Sequence, residues 1–578
     1  MQGEVKYGPQ MPFSQELHQA KYRSEGEDFV GAQYRFANEL ADNVHHWAAT
    51  KDILLNQRFM GGGRTQLAVG SPKQVTAFNC FVSGLVEDDF DTIMQRAREA
   101  GHTMRKGGGI GYDFSLLRPS GSLIKSLGSQ ASGPVSFMDI YNAICRTVSS
   151  AGHRRGAQMG VLRIDHPDIM KFITAKNNET ELTAFNISVG VTDKFMEAVE
   201  ADESFDLVFE GVVYETIKAR PLWETIMRGT WDWAEPGVLY IDRINEMNNL
   251  YWCETIAATN PCGEQPLPPY GACLLGSYNL TKYVIFDDEG TRSFDFAQFM
   301  LDIPQVTRMM DNIHDRSIFP LPEQAAESAL KRRMGLGVTG LANAVEALGF
   351  PYGSERFMET TEQIFRVYRD ETYKASVALA KEKGCAPIFA SQEAKDLLVK
   401  GKFIQTLPAT IRAGISEYGL RNSHLLSMAP TGTISLSADN ISGGIEPCFS
   451  HGFERTVFMA DVARIEKVED YAFRTWGVKG KTAGECTPSE HLAVLALATQ
   501  YVDSACSKTI NVDGSLPWVD FKDIYMQAWK MGCKGCTTFN KDGKRYGILV
   551  EKDEPEEEVE EVAKACFIDL QSGHKECS

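Results

Sequence analysis

Between residues 14 and 60 apolar side chains recur at helical spacing among charges, with Phe29, Tyr34, Phe36, Leu40 and Trp47 on the repeating positions. That period predicts a helical N-terminal region, residues 1–75. From about residue 75 the pattern changes. Short apolar runs, such as Thr76 to Val82, Leu162 to Ile164, Phe185 to Val191 and Leu425 to Met428, alternate with Gly-rich turns and amphipathic stretches at 92–104, 136–148 and 362–381. Strand-like runs separated by helical ones predict an α/β body with a mostly parallel sheet over residues 76–548. The acidic run EKDEPEEEVEE at 551–561 marks residues 549–565 as a flexible, solvated linker. The tail, 566–578, carries Cys566 and Cys577.

Composition narrows the function classes. The chain has 578 residues, 43% hydrophobic and 24% charged, enough for a large core. A formal net charge of -18 disfavours nucleic acid as a partner. A small phosphorylated ligand stays compatible, because a local cluster of donors works on an acidic surface. No apolar run approaches the roughly 18 residues of a membrane span, and MQGEVKYGPQ has no signal-peptide pattern. A cytoplasmic protein with no membrane partner is expected, its thirteen cysteines mostly reduced and buried.

The chemistry-bearing segment is Asn260-Pro261-Cys262-Gly263-Glu264-Gln265-Pro266-Leu267-Pro268. Its prolines and glycine exclude a helix or a central strand and predict a stiff loop. One glycine separates Cys262 from Glu264, so a thiol and a carboxylate can face one small volume. Cys273 follows eleven residues after Cys262. On spacing alone, a rigid loop with buried cysteines is an equal reading. Two further motifs are ambiguous. Gly335-Leu336-Gly337-Val338-Thr339-Gly340 fits G-x-G-x-x-G, but the residues before it, with Lys331, Arg332 and Arg333, read as helix where a dinucleotide site needs a strand. Cys533-Lys534-Gly535-Cys536 is a single C-x-x-C with no second pair, which disfavours zinc and leaves burial or redox open. No metal ligand set is expected.

The segment NPCGEQPLPPYGACLLGSYNL resembles the finger loop of ribonucleotide reductases, and the resemblance extends from about residue 20 to 550. It implies a ten-stranded α/β barrel of the ribonucleotide reductase and glycyl-radical type, with a central finger loop and a helical N-terminal region. By resemblance Cys262 carries a transient thiyl radical, Glu264 is the base on the ribose 3′-hydroxyl, Asn260 hydrogen-bonds the substrate hydroxyls, and Cys80 with Cys273 forms the reducing dithiol. Thr65 and Asn79 match substrate contacts. Pro430, Thr431, Gly432, Thr433 and Ile434 match a loop holding substrate phosphates, and hydroxyls and glycine after a strand suit such a nest. Asp88, Arg118 and Arg155 match contacts to a deoxynucleoside triphosphate effector and the loop linking it to substrate; Lys106 to Gly111 belongs to the same regions. Cys566 and Cys577 match a tail pair that re-reduces the active-site disulfide, although their spacing is wider than usual.

The resemblance also raises the question of the oxidant. Oxygen-dependent members pass the radical from a second subunit through adjacent tyrosines near the C-terminus; this chain has 19 tyrosines and no Tyr-Tyr pair. The pattern of glycyl-radical members is also missing. The class implied is the adenosylcobalamin-dependent one, acting on ribonucleoside diphosphates, with a deoxynucleotide effector, thioredoxin or glutaredoxin as reductant, and a homodimeric state. The family's ATP-sensing N-terminal domain has no counterpart, so regulation of specificity without an overall switch is expected. The alternatives are a large subunit that needs a separate radical-generating partner, and a non-catalytic nucleotide-binding relative.

Overall fold

A computed structural model describes residues 6–150, 154–155, 157–177, 180–459, 462–544, 549–550, 566–568 and 575–577. The chain opens with three helices, α1 (Pro12–Tyr22), α2 (Phe29–Leu40) and α3 (Val44–Leu55). Each starts where its sequence dictates. Pro12 opens α1, where its missing N–H costs nothing. Asp28 accepts the Gly31 amide at 2.7 Å, and Asn43 accepts the amides of His45 and His46 at 3.0 Å.

The body is built on one sheet of ten strands: β1 (Phe59–Gly61), β2 (Cys80–Val82), β3 (Gly109–Asp113), β4 (Gln158–Arg163), β5 (Phe185–Val191), β6 (Gly237–Tyr240), β7 (Ala272–Asn279), β8 (Met334–Thr339), β9 (Thr509–Val512) and β10 (Gly535–Asn540). Their order is β1-β7-β2-β3-β4-β5-β6-β10-β9, with β8 on the other edge of β7. Strands β2 to β6 are parallel, as are the pairs β7–β8 and β9–β10. The junctions β7–β2 and β6–β10 are antiparallel. The expected parallel sheet therefore holds within three blocks that are joined antiparallel. Single bridges, Leu336 to Leu426 and Met428 to Cys506, continue from β8 toward the segment that leads into β9.

Helices α4 (Phe90–Arg105), α5 (Pro134–Thr147), α6 (Phe296–His314), α7 (Glu355–Lys383), α8 (Gly432–Leu436) and α9 (Trp518–Lys530) accompany the sheet. Alternation along the strands divides the core in two. Phe81 and Leu274 join the large outer core with residues of α4, α6 and α7. Cys80, Val82, Met159, Val161, Leu239, Cys273 and Leu275 share a separate inner cluster, which Ala258 and Leu267 enter from a hairpin. Hence neighbouring residues of one strand pack into the large core on one face and into the smaller cluster on the other.

The glycine motif at 335–340 is strand β8 and no nucleotide turn. Gly335 lies against the Gln265 side chain and Gly337 against the Ser427 carbonyl, contacts that a Cβ would obstruct. No helix among the described residues is long and apolar enough to cross a membrane. Of the expected linker, 549–565, Leu549 and Val550 instead form a short strand paired antiparallel with Arg455 and Glu454; the rest lies outside the described residues.

Candidate active site

Residues 258–267 form a tight hairpin, with Ala258–Thr259 paired antiparallel to Pro266–Leu267. Asn260 closes it: its amide donates to the Gln265 carbonyl at 3.0 Å, and its Oδ1 accepts the Gln265 amide at 2.9 Å. Gly263 turns the tip at φ +81°, a conformation that costs a residue with a Cβ. Cys262 is exposed at this tip, whereas Asn260 and Glu264 are each 1% exposed.

The sheet grips the hairpin on several sides. The Asn186 side chain of β5 donates to the Pro261 carbonyl at 2.9 Å. The Glu264 carbonyl accepts from the Ser427 hydroxyl at 3.1 Å and the Ala505 amide at 3.0 Å. Strand β3 lies against it: a Cβ on Gly109 would stand 3.1 Å from the Pro261 ring, and one on Gly111 would collide with the Thr259 carbonyl. The 107–111 glycines thus include the seat of the hairpin, a role that their effector-like sequence did not suggest. Two glycines at a spacing of two on a strand were the available signal, since they clear one face for a close backbone approach.

This seat can be tested by stability. Gly111→Ala is expected to cost about 1–3 kcal/mol, the usual penalty of overpacking. Gly190→Ala on β5, whose Cβ would meet only ordinary contacts from 3.8 Å outward, should stay within about 1 kcal/mol, the strand-interior preference itself favouring alanine. Urea midpoints of both variants measure the difference; equal midpoints would mean that the hairpin does not depend on Gly111.

Below the tip, Cys80 and Cys273 are directly opposed in the β2–β7 register. Opposed antiparallel residues lie about 4.5–5.5 Å apart at Cα, inside the range that a disulfide accepts. Both are free thiols, 4% and 0% exposed. Burial raises both thiols well above their ordinary range, and the Glu264 charge pushes the same way. They are held as neutral S–H groups. The Cys80 Sγ is 3.8 Å from Glu264 Oε1 and accepts from Asn260 Nδ2 at 3.1 Å. Burial lifts the Glu264 carboxyl to about 6, against the pull of its hydrogen bonds from Asn260 and Cys80. Its Oε2 is buried without a hydrogen-bond partner, as are Asn79 Oδ1 and Gln265 Nε2. Unpaired polar atoms of this kind are costly when buried.

The other expected positions fall in three places. Thr65 is fully buried, its hydroxyl 3.0 and 3.3 Å from the carbonyls of Ala77 and Leu275. Pro430 leads into α8, with Thr431 at φ +52° and Gly432 exposed with open space around it. The Thr431 hydroxyl meets those of Thr339 and Ser435 at 2.9 and 3.0 Å and accepts the Gly444 amide at 2.7 Å. Thr433 is half-buried and Ile434 buried. Helix α1 braces α8 from behind, because the Ser14 hydroxyl donates to the Leu436 carbonyl at 2.6 Å.

Asp88 and Arg118 meet each other: Arg118 Nε is 2.6 Å from Asp88 Oδ2, and the Arg118 amide donates to Oδ1 at 3.1 Å. Arg155 pairs with Ser149 in a two-stranded ribbon; its side chain lies outside the described residues. In the tail the backbones of Cys566 and Cys577 are opposed in an antiparallel pair, and their side chains lie outside the described residues. Cys533 and Cys536 are buried free thiols, and no group of metal-ligating side chains occurs among the described residues.

The family described as "Ribonucleotide reductase, barrel domain" matches residues 78–539. The vitamin B12-dependent ribonucleoside-diphosphate reductase of Thermoplasma acidophilum is 33% identical over 93% of this chain and 70% of its own length. The enzyme of the same name from Mycobacterium tuberculosis is 34% identical over 87% of this chain and 73% of its own. A vitamin B12-dependent ribonucleotide reductase of Streptomyces clavuligerus is 27% identical over 94% and 64%. A match spanning most of the sheet, with both opposed cysteines and the whole hairpin inside it, leaves no doubt of kinship: the chain belongs to the ribonucleotide reductase family.

Proposed function

We propose that this protein reduces ribonucleoside diphosphates to 2′-deoxyribonucleotides by thiyl-radical chemistry initiated by adenosylcobalamin. The observation that carries the reading is the division of labour among three cysteines. Cys262 alone of the three is exposed, at the tip of the hairpin, while Cys80 and Cys273 lie opposed and buried beside Glu264. Relatives at 33–34% identity are named as B12-dependent diphosphate reductases.

The residues suit the cofactor in one respect that the structure itself supports: the thiol that must lose a hydrogen atom to an external radical is the accessible one. Adenosylcobalamin supplies that oxidising radical when bound. Everything after belongs to the chain. The Cys262 sulfur radical takes the ribose 3′-hydrogen, so that an S–H bond forms as a C–H bond breaks. Glu264 accepts the 3′-hydroxyl proton as general base, with Asn260 holding the hydroxyls. The 2′-oxygen leaves as water. Cys80 and Cys273 give up two electrons and two protons and close as a disulfide, and Cys262 returns its hydrogen to the 3′-carbon. The sum is one nucleotide and one dithiol giving one deoxynucleotide, one disulfide and water.

The remaining assignments follow the same reading. Thr65 and Asn79 flank the substrate, and Pro430 to Ile434 hold its phosphates where Gly432 opens to solvent. A strained non-glycine residue, Thr431, at that turn is the kind of feature that collects at ligand clamps. Asp88, Arg118 and Arg155 receive a deoxynucleotide effector. Exposed Leu85, Phe90 and Met94 beside Asp88 favour a homodimer formed along α4. Cys566 and Cys577, opposed at the backbone, pass electrons from thioredoxin or glutaredoxin. The bridges from β8 through Leu426 and Met428 to Cys506 support closure of the sheet into a ten-stranded barrel, with 1–75 as a helical attachment, 551–565 as linker and 566–578 as redox tail.

The test uses the purified full chain with adenosylcobalamin, a dithiol reductant and no other protein. Deoxynucleotide from diphosphates is expected. Product only after a second protein is added would favour the two-subunit class, and product only from triphosphates would correct the substrate.

A further inference from the structure

We propose that Lys534, the residue inside the C-x-x-C at 533–536, is a positioning residue that clamps the segment 502–505 and through it fixes the backbone of Glu264. Its side chain is 3% exposed. The ammonium donates to the Asp503 carbonyl at 2.8 Å, the Val502 carbonyl at 3.4 Å and the Ser504 carbonyl. Three converging carbonyls match the three donors of an ammonium. The next residue, Ala505, gives its amide to the Glu264 carbonyl at 3.0 Å. The path from Lys534 to the loop of the base is thus two consecutive sets of hydrogen bonds.

The same segment reaches the second half of the site. The Asp503 carboxylate accepts the amides of Leu425 and Leu426 at 2.8 and 3.0 Å and the Tyr373 hydroxyl at 2.7 Å. Ser504 donates to the Leu426 carbonyl at 3.1 Å, and Met428 donates to the Ala505 carbonyl at 3.0 Å. Residues 425–428 run directly into Ala429 and Pro430. One buried cation therefore holds, through four residues, both the hairpin of the base and the strand ahead of the phosphate turn.

An ammonium taken out of water is expensive, and a fold that needed only volume would be served by an apolar side chain. Lys534 is kept in its charged environment by Asp503, whose charge opposes the burial that lowers the ammonium to about 8. The two cysteines that frame it are buried free thiols, 0% and 4% exposed, beside Tyr525 and Tyr240. On this account the motif exists for its lysine, and the cysteines are packing.

The inference rests on the reading of Glu264 as base, so its test carries one readout that does not. Lys534→Met removes the charge and leaves three carbonyls unpaired. Its kcat in the cobalamin assay should fall about 10- to 100-fold, the scale of a displacement near 1 Å at a reacting group, with KM changed less than about threefold. Lys534→Arg, which restores donors, should recover part of kcat. Cys533→Ala with Cys536→Ala should keep kcat within about threefold. Independently of activity, amide hydrogen exchange in Lys534→Met should accelerate at 258–267, 425–428 and 502–507 and remain unchanged in α6. An unchanged kcat, or exchange that accelerates uniformly, would overturn the clamp. Accelerated exchange confined to those three segments, with Glu264→Gln fully active, would instead sink the reading of Glu264 and leave the clamp standing. Loss of activity in the double cysteine variant with Lys534→Met unaffected would make the motif a redox pair.

Discussion

Cys262→Ser is expected to reduce deoxynucleotide formation to the assay background, a fall on the order of 10⁴-fold or more, the scale seen when a group that forms or breaks bonds is removed from a set acting as a unit. The physical reason is bond strength. An S–H bond is comparable to the ribose C–H bond, so hydrogen passes in both directions, whereas a serine O–H is far stronger and cannot be oxidised by a carbon-centred radical. The substitution should be nearly silent in stability, because Cys262 is exposed at the hairpin tip and surface changes usually stay within about 0.5 kcal/mol. Cys273→Ser separates the roles. It keeps the radical thiol and loses the reductant, so isotope should wash out of the substrate 3′-position without net reduction; Cys262→Ser should show neither. More than a few per cent of normal turnover in Cys262→Ser, with an unchanged urea midpoint, would remove Cys262 from the chemistry.

How much of this was legible in the sequence differs from residue to residue, for physical reasons. The strand Phe185–Val191 coincides with the apolar run that predicted it, and α4, α5 and α7 lie over the amphipathic stretches at 92–104, 136–148 and 362–381. Such elements carry their own period. The stiff loop at 260–265 was equally legible, because proline and glycine restrict backbone dihedrals locally. The pairing of Cys80 with Cys273 was reached through resemblance alone, since spacing says nothing of an antiparallel junction between β2 and β7, far apart in sequence. The support of the hairpin was not legible. Asn186, Ser427 and Ala505 act through single hydrogen bonds to backbone carbonyls, which leave no motif. Gly109 and Gly111 left one, but resemblance directed it to the effector. Lys534 drew no reading of its own inside the C-x-x-C, because a buried ammonium announces itself only by what surrounds it.

Glu264→Gln should lower kcat by about 10²–10⁴-fold, the usual worth of a positioned general base, and at the same time make the protein more stable near neutral pH. The two effects share one cause. Glu264 is 1% exposed and its carboxyl is raised to about 6 by burial. The folded state therefore holds a proton that the unfolded chain, with an ordinary carboxyl near 4.5, has released. Between those values the native state binds more protons, so stability falls as pH rises from 4.5 through 6. A separation of about 1.5 pH units corresponds to about 2 kcal/mol at pH 7. Glutamine removes the charge and should recover up to that amount, less whatever its amide loses at the position of the unpartnered Oε2. The activity of the parent protein should rise with pH through about 6, as the base must be ionised, and the residual activity of Glu264→Gln should lack that limb. Urea midpoints at pH 5 and 7 and a pH–rate profile measure both. A variant that loses activity and stability together would place Glu264 among the structural residues of the hairpin. One that loses activity and gains stability at pH 7, with little gain at pH 5, would show a carboxylate held in its buried place at the expense of the fold because the reaction requires it there.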